Sequence, residues 1–278
     1  MECEQISVAG IQIAQFPGDR DANILAAREA IIAAAGHDIY VLPELSSSGY
    51  NIDVFRMLDR VSEELDGPSF QAFSDLARTR SCFICYSFPR RSGIDAYTIC
   101  AAVVDTTGAL VAHYDKWHVC STGECCEKEF FIAGQGPLAA FDCNGFKVGL
   151  AICYDIRFPE LTRNLVLHKD ISLLLHPGGW PKDDGFHTWH MFVQVRAMEN
   201  SIYIMSTNWA GSDNGHTAFC PPVIDGNKNT IISLGDPPGA LSGIVRKAHL
   251  QDVRRTYPLL KDRRDSAYPS SGPSIGRL

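Results

Sequence analysis

The chain has 278 residues, 25 basic and 32 acidic side chains, a formal net charge of −7 and ten cysteines. Apolar residues at 45% and charged residues at 21% are ordinary for a globular protein, which excludes a disordered chain, a collagen and a coiled coil. The mild acidity argues against a nucleic-acid-binding protein, which would present a basic stripe. This length allows one large domain or two small ones.

The chain begins Met1-Glu2-Cys3-Glu4-Gln5, which is acidic and polar, whereas a signal peptide begins basic and then becomes apolar. No apolar run is long enough for a membrane span. We therefore expect a cytoplasmic protein that does not bind a membrane. Because the cytosol does not sustain structural disulfides, the cysteines are expected to be reduced thiols.

Strand-like and helix-like segments alternate along the whole chain. Apolar alternation and turn signals predict strands at 7–16, 38–42, 82–88, 97–104, 109–114, 146–152, 171–176, 202–206, 219–224, 230–233 and 241–245. Helical spacing with start and stop residues predicts helices at 21–36, 67–80, 157–167 and 187–200. Hairpins mixed with helical crossovers predict an α/β fold with a mixed sheet covered by helices.

Three polar residues directly follow predicted strands, where α/β folds place their chemistry: Glu44, Lys116 and Cys153. If these strands lie side by side, an acid, a base and a thiol meet at one sheet edge. A thiol is a good nucleophile once deprotonated, a carboxylate can accept its proton, and a lysine can stabilise charge on a carbonyl oxygen. A helix start just after Cys153 would lower the pKa of its thiol. Spacing alone leaves the alternative open that the carboxylate is solvated and the thiol is packed in the core.

Several stretches around these residues occur together in one order. They are Leu42-Pro43-Glu44-Leu45, Tyr114-Asp115-Lys116-Trp117-His118-Val119, Gly149-Leu150-Ala151-Ile152-Cys153-Tyr154-Asp155-Ile156-Arg157-Phe158-Pro159-Glu160-Leu161, His176-Pro177-Gly178-Gly179-Trp180, Arg196-Ala197-Met198-Glu199-Asn200 and Asn208. In this order and spacing, from about residue 7 to about residue 268, the chain resembles the carbon–nitrogen hydrolase (nitrilase) superfamily. One departure follows Asn208, where 217–222 and Asp225-Gly226 lack the family's usual Gly-x-Ser element.

The resemblance implies a four-layer α-β-β-α sandwich spanning residues 1–255, with a C-terminal tail at 256–278 that docks on the domain or on a neighbouring subunit. It also implies a homodimer or higher homo-oligomer and a small-molecule amide substrate. Neither a metal nor an organic cofactor is implied.

The resemblance also implies a mechanism. Cys153 is then the nucleophile, Glu44 the general base, and Lys116 stabilises the tetrahedral intermediate together with the backbone N–H of Tyr154. The amide then releases ammonia and leaves its acyl group on the cysteine as a thioester. Hydrolysis of this thioester gives a carboxylic acid.

A second glutamate of the family lies seven residues before the glycine that closes the long loop. Here that glycine is Gly134, and the residue seven positions before it is Glu127. The resemblance therefore implies that Glu127 positions Lys116. Glu124 and Glu129 are nearby alternatives.

Arg157 has two interpretations. It can pair with Glu160 one helical turn away, or it can bind a substrate carboxylate, as an arginine four residues after the cysteine does in carbamoyl-amino-acid hydrolases of this superfamily. Further substrate-binding candidates are Tyr50, Phe131, Tyr154 and Trp180, with core packing as the alternative for the aromatic rings.

The loop thiols match no metal-binding pattern. His118-x-Cys120 followed by adjacent Cys125 and Cys126 lacks the paired ligand spacings of zinc sites, so no metal is expected. Cys125 and Cys126 are instead predicted to be loop thiols near the pocket that are open to oxidation.

The segment from Tyr154 to Phe158 resembles the amidase branches, including omega-amidases, more than true nitrilases, which carry Trp and then Glu after the cysteine. Carboxamide hydrolysis is therefore the favoured prediction. An N-carbamoyl hydrolase that also releases carbon dioxide, a nitrilase, and a catalytically silent scaffold remain alternatives.

Overall fold

In a computed structural model, which describes residues 3–122, 125–222 and 231–267, the chain forms twelve strands and seven α-helices. The strands are β1 (Gln5–Gln12), β2 (Ile39–Val41), β3 (Phe83–Gly93), β4 (Ala96–Val104), β5 (Leu110–Asp115), β6 (Ala140–Cys143), β7 (Phe146–Leu150), β8 (Leu173–Pro177), β9 (Tyr203–Thr207), β10 (Ala218–Cys220), β11 (Ile232–Ser233) and β12 (Gly239–Arg246). The helices are α1 (Arg20–Ala33), α2 (Ile52–Phe55), α3 (Leu58–Val61), α4 (Pro68–Arg80), α5 (Pro159–Lys169), α6 (Phe186–Asn200) and α7 (Lys247–Thr256).

The strands form two six-stranded sheets, in the orders β12-β1-β2-β3-β4-β5 and β11-β10-β9-β8-β7-β6. In each sheet three neighbouring strands are parallel, β1 to β3 in the first and β7 to β9 in the second. The sheets face each other, with β1 against β9 and both β2 and β3 against β8. Helices α1 and α4 pack outside the first sheet, and α5 and α6 outside the second. The predicted four-layer α-β-β-α sandwich is confirmed.

The first strand shows how the layers follow from the sequence. Ile6 and Val8 belong to the core between the sheets, whereas Ala9 and Ile11 belong to the core beneath α1 and α4. Since successive side chains of a strand point to opposite faces, a strand buried on both faces must be apolar almost throughout. This burial explains why the strand signal in the sequence is strong.

The two helices that begin at a proline, α4 and α5, lie within about two residues of the ranges predicted from the sequence. Pro68 and Pro159 are the first residues of α4 and α5, and Ser81 and Asp170 end these helices in the left-handed conformation. The sequence analysis missed α2, α3 and α7. The four-residue α2 is too short for a helical apolar period, and its start depends on the Asn51 side chain, which accepts a hydrogen bond from the Val54 N–H at 2.9 Å.

The expectation that the acid, the base and the thiol share one sheet edge is wrong. Glu44 follows β2 and Lys116 follows β5, both in the first sheet, whereas Cys153 follows β7 in the second. The three residues meet because the two sheets are stacked.

The ends of the chain beyond the sandwich are described only in part. The predicted boundary at residue 255 falls in the last turn of α7. The predicted turn at 225–227 and the tail residues 268–278 lie outside the described residues. Within the described ranges, none of the helices combines the length and apolar character needed to cross a membrane.

Candidate active site

Lys116 lies between two carboxylates. Its Nζ donates hydrogen bonds to Oε1 of Glu44 at 2.7 Å and to Oε1 and Oε2 of Glu127 at 2.7 and 2.8 Å. All three side chains are fully buried. Such charges are tolerated in an apolar interior only when they are paired, so the lysine and its two partners form one electrostatic unit.

The pKa shifts in this unit have identifiable causes. Burial alone would lower the pKa of Lys116, but the charges of Glu127 and Glu44 outweigh burial and hold it well above its usual value. Burial raises the pKa of Glu44 to about 7; Lys116 opposes this shift and the negative charge of Glu127 adds to it. A carboxylate with a pKa near neutrality can both accept and return a proton.

Cys153 occupies a sharp turn directly after β7. Its φ of 45° is in the left-handed region, which is strained for a residue with a side chain. The residue is 7% exposed, and its thiol interacts with the Glu44 carboxylate. The expectation of a lowered thiol pKa is wrong: burial and the nearby charge of Glu44 raise the pKa of Cys153 well above its usual value. The thiol therefore stays protonated at rest and needs a base.

Glu44 is placed to act as that base. Its Oε2 is buried and accepts no hydrogen bond from any described residue. A Cβ on Gly179 would lie 3.2 Å from this oxygen and 3.1 Å from the ring of Tyr50, so a residue with a side chain would crowd the site. Glycine at 179 leaves the space beside this carboxylate oxygen unobstructed.

A buried polar chain holds the turn at Cys153 in place. His176 Nε2 lies 2.9 Å from the Cys153 carbonyl oxygen and His176 Nδ1 lies 2.7 Å from Ser206 Oγ, which accepts the Trp189 Nε1–H at 2.8 Å. Burial lowers the pKa of His176 to about 4, so the ring is neutral. A carbonyl can only accept, and Nε2 must therefore carry the proton while Nδ1 accepts from the serine. The sequence analysis assigned His176 no role beyond a strand end.

Asp155 joins the lysine strand to the cysteine turn. Its Oδ2 accepts hydrogen bonds from Tyr114 OH at 2.9 Å and Ile152 N–H at 3.0 Å. Its Oδ1 accepts the His118 N–H at 3.0 Å and lies 2.7 Å from His118 Nδ1. Since Tyr114 is two residues from Lys116 and Ile152 precedes Cys153, this carboxylate couples the two sheets behind the site.

Glu127 has partners beyond the lysine. Its Oε1 accepts a hydrogen bond from Tyr50 OH at 2.5 Å, and its Oε2 accepts one from the Cys120 N–H at 2.8 Å. Glu129 is exposed, and Glu124 lies outside the described residues. Of the two described candidates, Glu127 is the one that contacts Lys116.

A pocket of about 330 Å³ leads to Cys153. Among the predicted substrate-binding residues, Tyr50, Tyr154, Arg157 and Trp180 border it. Phe131 is buried in the core, with its ring 5.1 Å from that of Phe55, which itself lines the pocket. Phe131 thus supports the wall from behind. The sequence analysis missed the α2 side of this wall, Asn51, Ile52 and Phe55, because that helix has no detectable period.

Arg157 lies against aromatic rings on the pocket wall. Its guanidinium carbon is 5.0 Å from the ring centre of Phe192, 5.1 Å from that of Trp180 and 5.9 Å from that of Tyr154. Within the described part of the chain it forms no ion pair, and its buried Nε has no hydrogen-bond partner. The pair with Glu160, one of the two interpretations of Arg157, is not formed between these described side chains. Arg196 instead pairs with Glu199 at 2.8 Å, behind the site.

Across residues 3–122, 125–222 and 231–267, no group of three or more histidine, cysteine, aspartate or glutamate side chains is arranged to hold a metal ion.

The layered fold and the buried acid–lysine–thiol arrangement together define a hydrolase class. The carbon-nitrogen hydrolase family model matches residues 7–223, and the chain belongs to that family, in its amidase-like branch. It is a hydrolase that acts on carbon–nitrogen bonds other than peptide bonds.

Individual relatives are similar over nearly their full length. The chain is 27% identical over 278 residues to the omega-amidase NIT2 of Danio rerio, covering 95% of this chain and 96% of that protein. It is 26% identical over 289 residues to the 2-oxoglutaramate amidase of Paenarthrobacter nicotinovorans, covering 98% of this chain and 94% of that one. The structure of Nit3 from Saccharomyces cerevisiae, a member of branch 10 of the nitrilase superfamily, superposes with a TM-score of 0.81 at 25% identity, over 95% of this chain and 98% of that one.

Proposed function

We propose that the protein hydrolyses a small carboxamide that also carries a carboxylate, through a thioester on Cys153, releasing ammonia and a carboxylic acid. The observation that carries this proposal is the position of the Cys153 thiol, which lines a pocket of about 330 Å³ within the electrostatic influence of the buried Glu44 and Lys116 charges. That volume is at the small end of the range for ligand pockets and suits a metabolite-sized amide.

The reaction begins with proton transfer. Glu44 accepts the thiol proton as Cys153 attacks the amide carbon, and the negative oxygen that forms is stabilised by Lys116 and by the Tyr154 backbone N–H. Glu44 then returns its proton to the departing amine, which leaves as ammonia. The thioester is hydrolysed by a water molecule that Glu44 deprotonates, and the thiol is regenerated.

Glu127 acts through Lys116 in this scheme. Its two contacts with Nζ, at 2.7 and 2.8 Å, keep the ammonium charged and fix its direction. The lysine therefore needs no reorganisation when charge develops on the substrate oxygen.

Arg157 supplies the specificity. A guanidinium without a carboxylate partner, set among aromatic rings at the pocket wall, fits a carboxylate at the far end of the substrate. The names of the relatives, omega-amidase and 2-oxoglutaramate amidase, agree with such a substrate. An N-carbamoyl amino acid carries the same carboxylate, so carbamoyl hydrolysis is the second candidate.

Matched substrates test the proposal. The protein should release ammonia from succinamate much faster than from butyramide, which has the same carbon number without the carboxylate. N-carbamoyl-β-alanine and a simple nitrile complete the panel. Carbon dioxide released in step with ammonia would favour the carbamoyl hydrolase. Acid-quenched mass spectrometry should find an acyl group on Cys153 and none in C153A, and a C153A variant with unchanged turnover would exclude the thioester route.

We further propose that the protein is a homodimer or a larger homo-oligomer formed through its outer helices. Leu167 on α5 and both Met191 and Val195 on α6 are exposed apolar side chains on neighbouring helices of the second sheet. Sedimentation should give at least twice the chain mass of 30.6 kDa, and M191E with V195E should shift it to the monomer. A monomeric wild-type protein at micromolar concentration would refute this part.

A further inference from the structure

The pocket wall carries more thiols than the proposed reaction uses. Cys120, Cys125 and Cys126 border the same pocket as Cys153. None of these three sulfurs has a role in the acid–lysine–thiol mechanism. From the sequence alone, the adjacent Cys125 and Cys126 are both predicted to be thiols open to oxidation.

The structure instead associates Cys125 with Cys120. Both residues are tied to the same carboxylate: the Cys120 N–H binds Glu127 Oε2 at 2.8 Å, and Cys125 Sγ lies 3.2 Å from Tyr50 OH, which binds Glu127 Oε1 at 2.5 Å. The turn at 127–129 also lies against Cys120. The Lys128 N–H lies 3.4 Å from the Cys120 carbonyl oxygen. These contacts tie Cys120 and Cys125 to the same carboxylate, and both residues line the same pocket.

The two thiols differ in acidity. Contact with the Cys125 thiol is the largest cause of a lowered pKa at Cys120, which falls to about 6. The same contact, with burial, raises the pKa of Cys125. The lowered pKa makes Cys120 the more easily deprotonated thiol of the two, and therefore the better nucleophile. Burial raises the pKa of Cys126, which makes it less reactive than its neighbour Cys120.

We propose that Cys120 and Cys125 form a dithiol modification site, which a peroxide converts into a disulfide on the wall of the substrate pocket. The Cys120 thiolate attacks one peroxide oxygen, the O–O bond breaks, and with one proton the other oxygen leaves as water, so that Cys120 becomes a sulfenic acid. The Cys125 sulfur then forms the S–S bond and displaces the sulfenic oxygen, which leaves as a second water with the Cys125 proton. The two sulfurs lose two electrons in total, and these reduce one hydrogen peroxide to two waters.

The disulfide acts on the site through Glu127. Oxidation takes the Cys125 sulfur away from Tyr50 OH, whose other partner is Glu127 Oε1. It also moves the Cys120 backbone, which binds Oε2. The disulfide thus changes the hydrogen-bond partners of both carboxylate oxygens of Glu127, the residue that holds Lys116. A thiol reductant reverses the change, because it returns two electrons to the sulfurs.

Peptide mass spectrometry tests the dithiol without any assumption about turnover. Tryptic cleavage after Lys116 and Lys128 releases peptide 117–128 with Cys120, Cys125 and Cys126, and Cys153 falls in a different peptide. The folded protein is treated with hydrogen peroxide, alkylated and digested. In the oxidised protein we expect this peptide to carry one alkyl group, whereas in the reduced protein it carries three. Apart from the alkyl groups, the oxidised peptide should be lighter than the reduced peptide by the mass of two hydrogens.

Single substitutions identify the pair. C126S is the matched control from the same loop, and its peptide should still close the disulfide and take up no alkyl group. C120S and C125S should each lose the internal disulfide; either one suffices if the other does not fold. A bond between Cys125 and Cys126, a cross-link to the peptide of Cys153, or full alkylation at peroxide levels that oxidise Cys153 would overturn the proposal.

The effect on the site is measured separately and depends on the amidase activity proposed above. Each variant is compared with its own reduced activity towards succinamate. At peroxide exposures just sufficient to close the disulfide, the wild type and C126S should lose at least half of their activity and regain it with dithiothreitol, whereas C120S and C125S, which cannot close it, should lose less than a tenth. Equal losses in all four proteins would refute the link to Glu127 while leaving the mass result to decide the dithiol. A protein without amide turnover would refute the proposed function alone.

Discussion

Lys116 and Glu127 form a two-pronged ion pair, with Nζ 2.7 and 2.8 Å from the two carboxylate oxygens and neither side chain exposed. Glu44 binds the same Nζ, so the buried unit holds two negative charges and one positive charge. A site with this excess negative charge favours proton uptake, which is one reason that the pKa of Glu44 rises to about 7. The arrangement makes Glu44 a proton acceptor while the ammonium remains charged.

Glu127→Gln should weaken both the fold and the reaction. The variant removes one of the two carboxylates that pair with the buried Lys116 ammonium. Breaking a buried ion pair costs about 3 kcal/mol of unfolding free energy. We expect kcat to fall roughly a hundredfold because the lysine is no longer held towards the substrate oxygen. Urea unfolding and steady-state kinetics measure the two effects. E129Q, from the same turn with an exposed side chain, should match the wild type; equal losses in both variants would contradict the assignment.

The pH profile should report the pKa of Glu44. The carboxylate must be unprotonated to accept the thiol proton, so kcat/KM should be level above about 7 and fall about tenfold per pH unit below that value. Initial rates with succinamate from pH 5 to 9 measure this profile. A level profile down to pH 5 would show that the base has an ordinary carboxylate pKa.

The same shift predicts a trend in stability. Folded Glu44 keeps a proton up to a pKa of about 7, whereas the unfolded chain releases it near the usual value of 4.5. The folded state therefore binds more protons between these limits, and the contribution of Glu44 to the unfolding free energy falls as pH rises through that window. Denaturation at several pH values measures the slope of the unfolding free energy against pH, which should be less negative in E44Q than in the wild type. An identical slope would show that Glu44 is charged in the folded state throughout.

Arg157→Met should separate substrates by charge. Loss of a charge-assisted hydrogen bond costs roughly 1.5–3 kcal/mol, so KM for succinamate should rise about ten- to a hundredfold. KM for butyramide should change less than about threefold, because this substrate has no carboxylate to lose. R157K keeps the charge and should recover part of the affinity. Parallel increases for both substrates would mean that Arg157 shapes the pocket without binding a carboxylate.

Asp155→Asn should loosen the connection between the sheets behind the site. The carboxylate accepts from Tyr114 and Ile152 on one oxygen and from His118 on the other, and an amide would turn an N–H towards one of these donors. We expect about 2 kcal/mol of lost unfolding free energy and a larger change in kcat than in KM. D252N removes an exposed carboxylate on α7 and serves as the control. A D155N variant as stable and active as D252N would exclude this role.

The sequence patterns predicted most of the strands and helices, and the resemblance to one family implied the four layers and the residues of the site. Strands such as β1 are buried on both faces and leave a strong apolar pattern, and a proline at the first turn marked the start of α4 and α5. Glu44, Lys116, Glu127 and Cys153 could be named because their residue types and order resemble one family, which the match over residues 7–223 bears out at the level of the family.

Only the tertiary structure decided how these residues meet and what state they are in. Sheet stacking brings Cys153 from one sheet to Glu44 and Lys116 from the other, and spacing along the chain carries no information about that. Burial decides the protonation of Cys153, against the lowered pKa that a helix start suggests, because desolvation depends on atoms distant in sequence. The same holds for the ten cysteines of the composition: their number is a property of the sequence, but the contacts that tie Cys120 to Glu127 and Cys125 to Tyr50 depend on the tertiary fold.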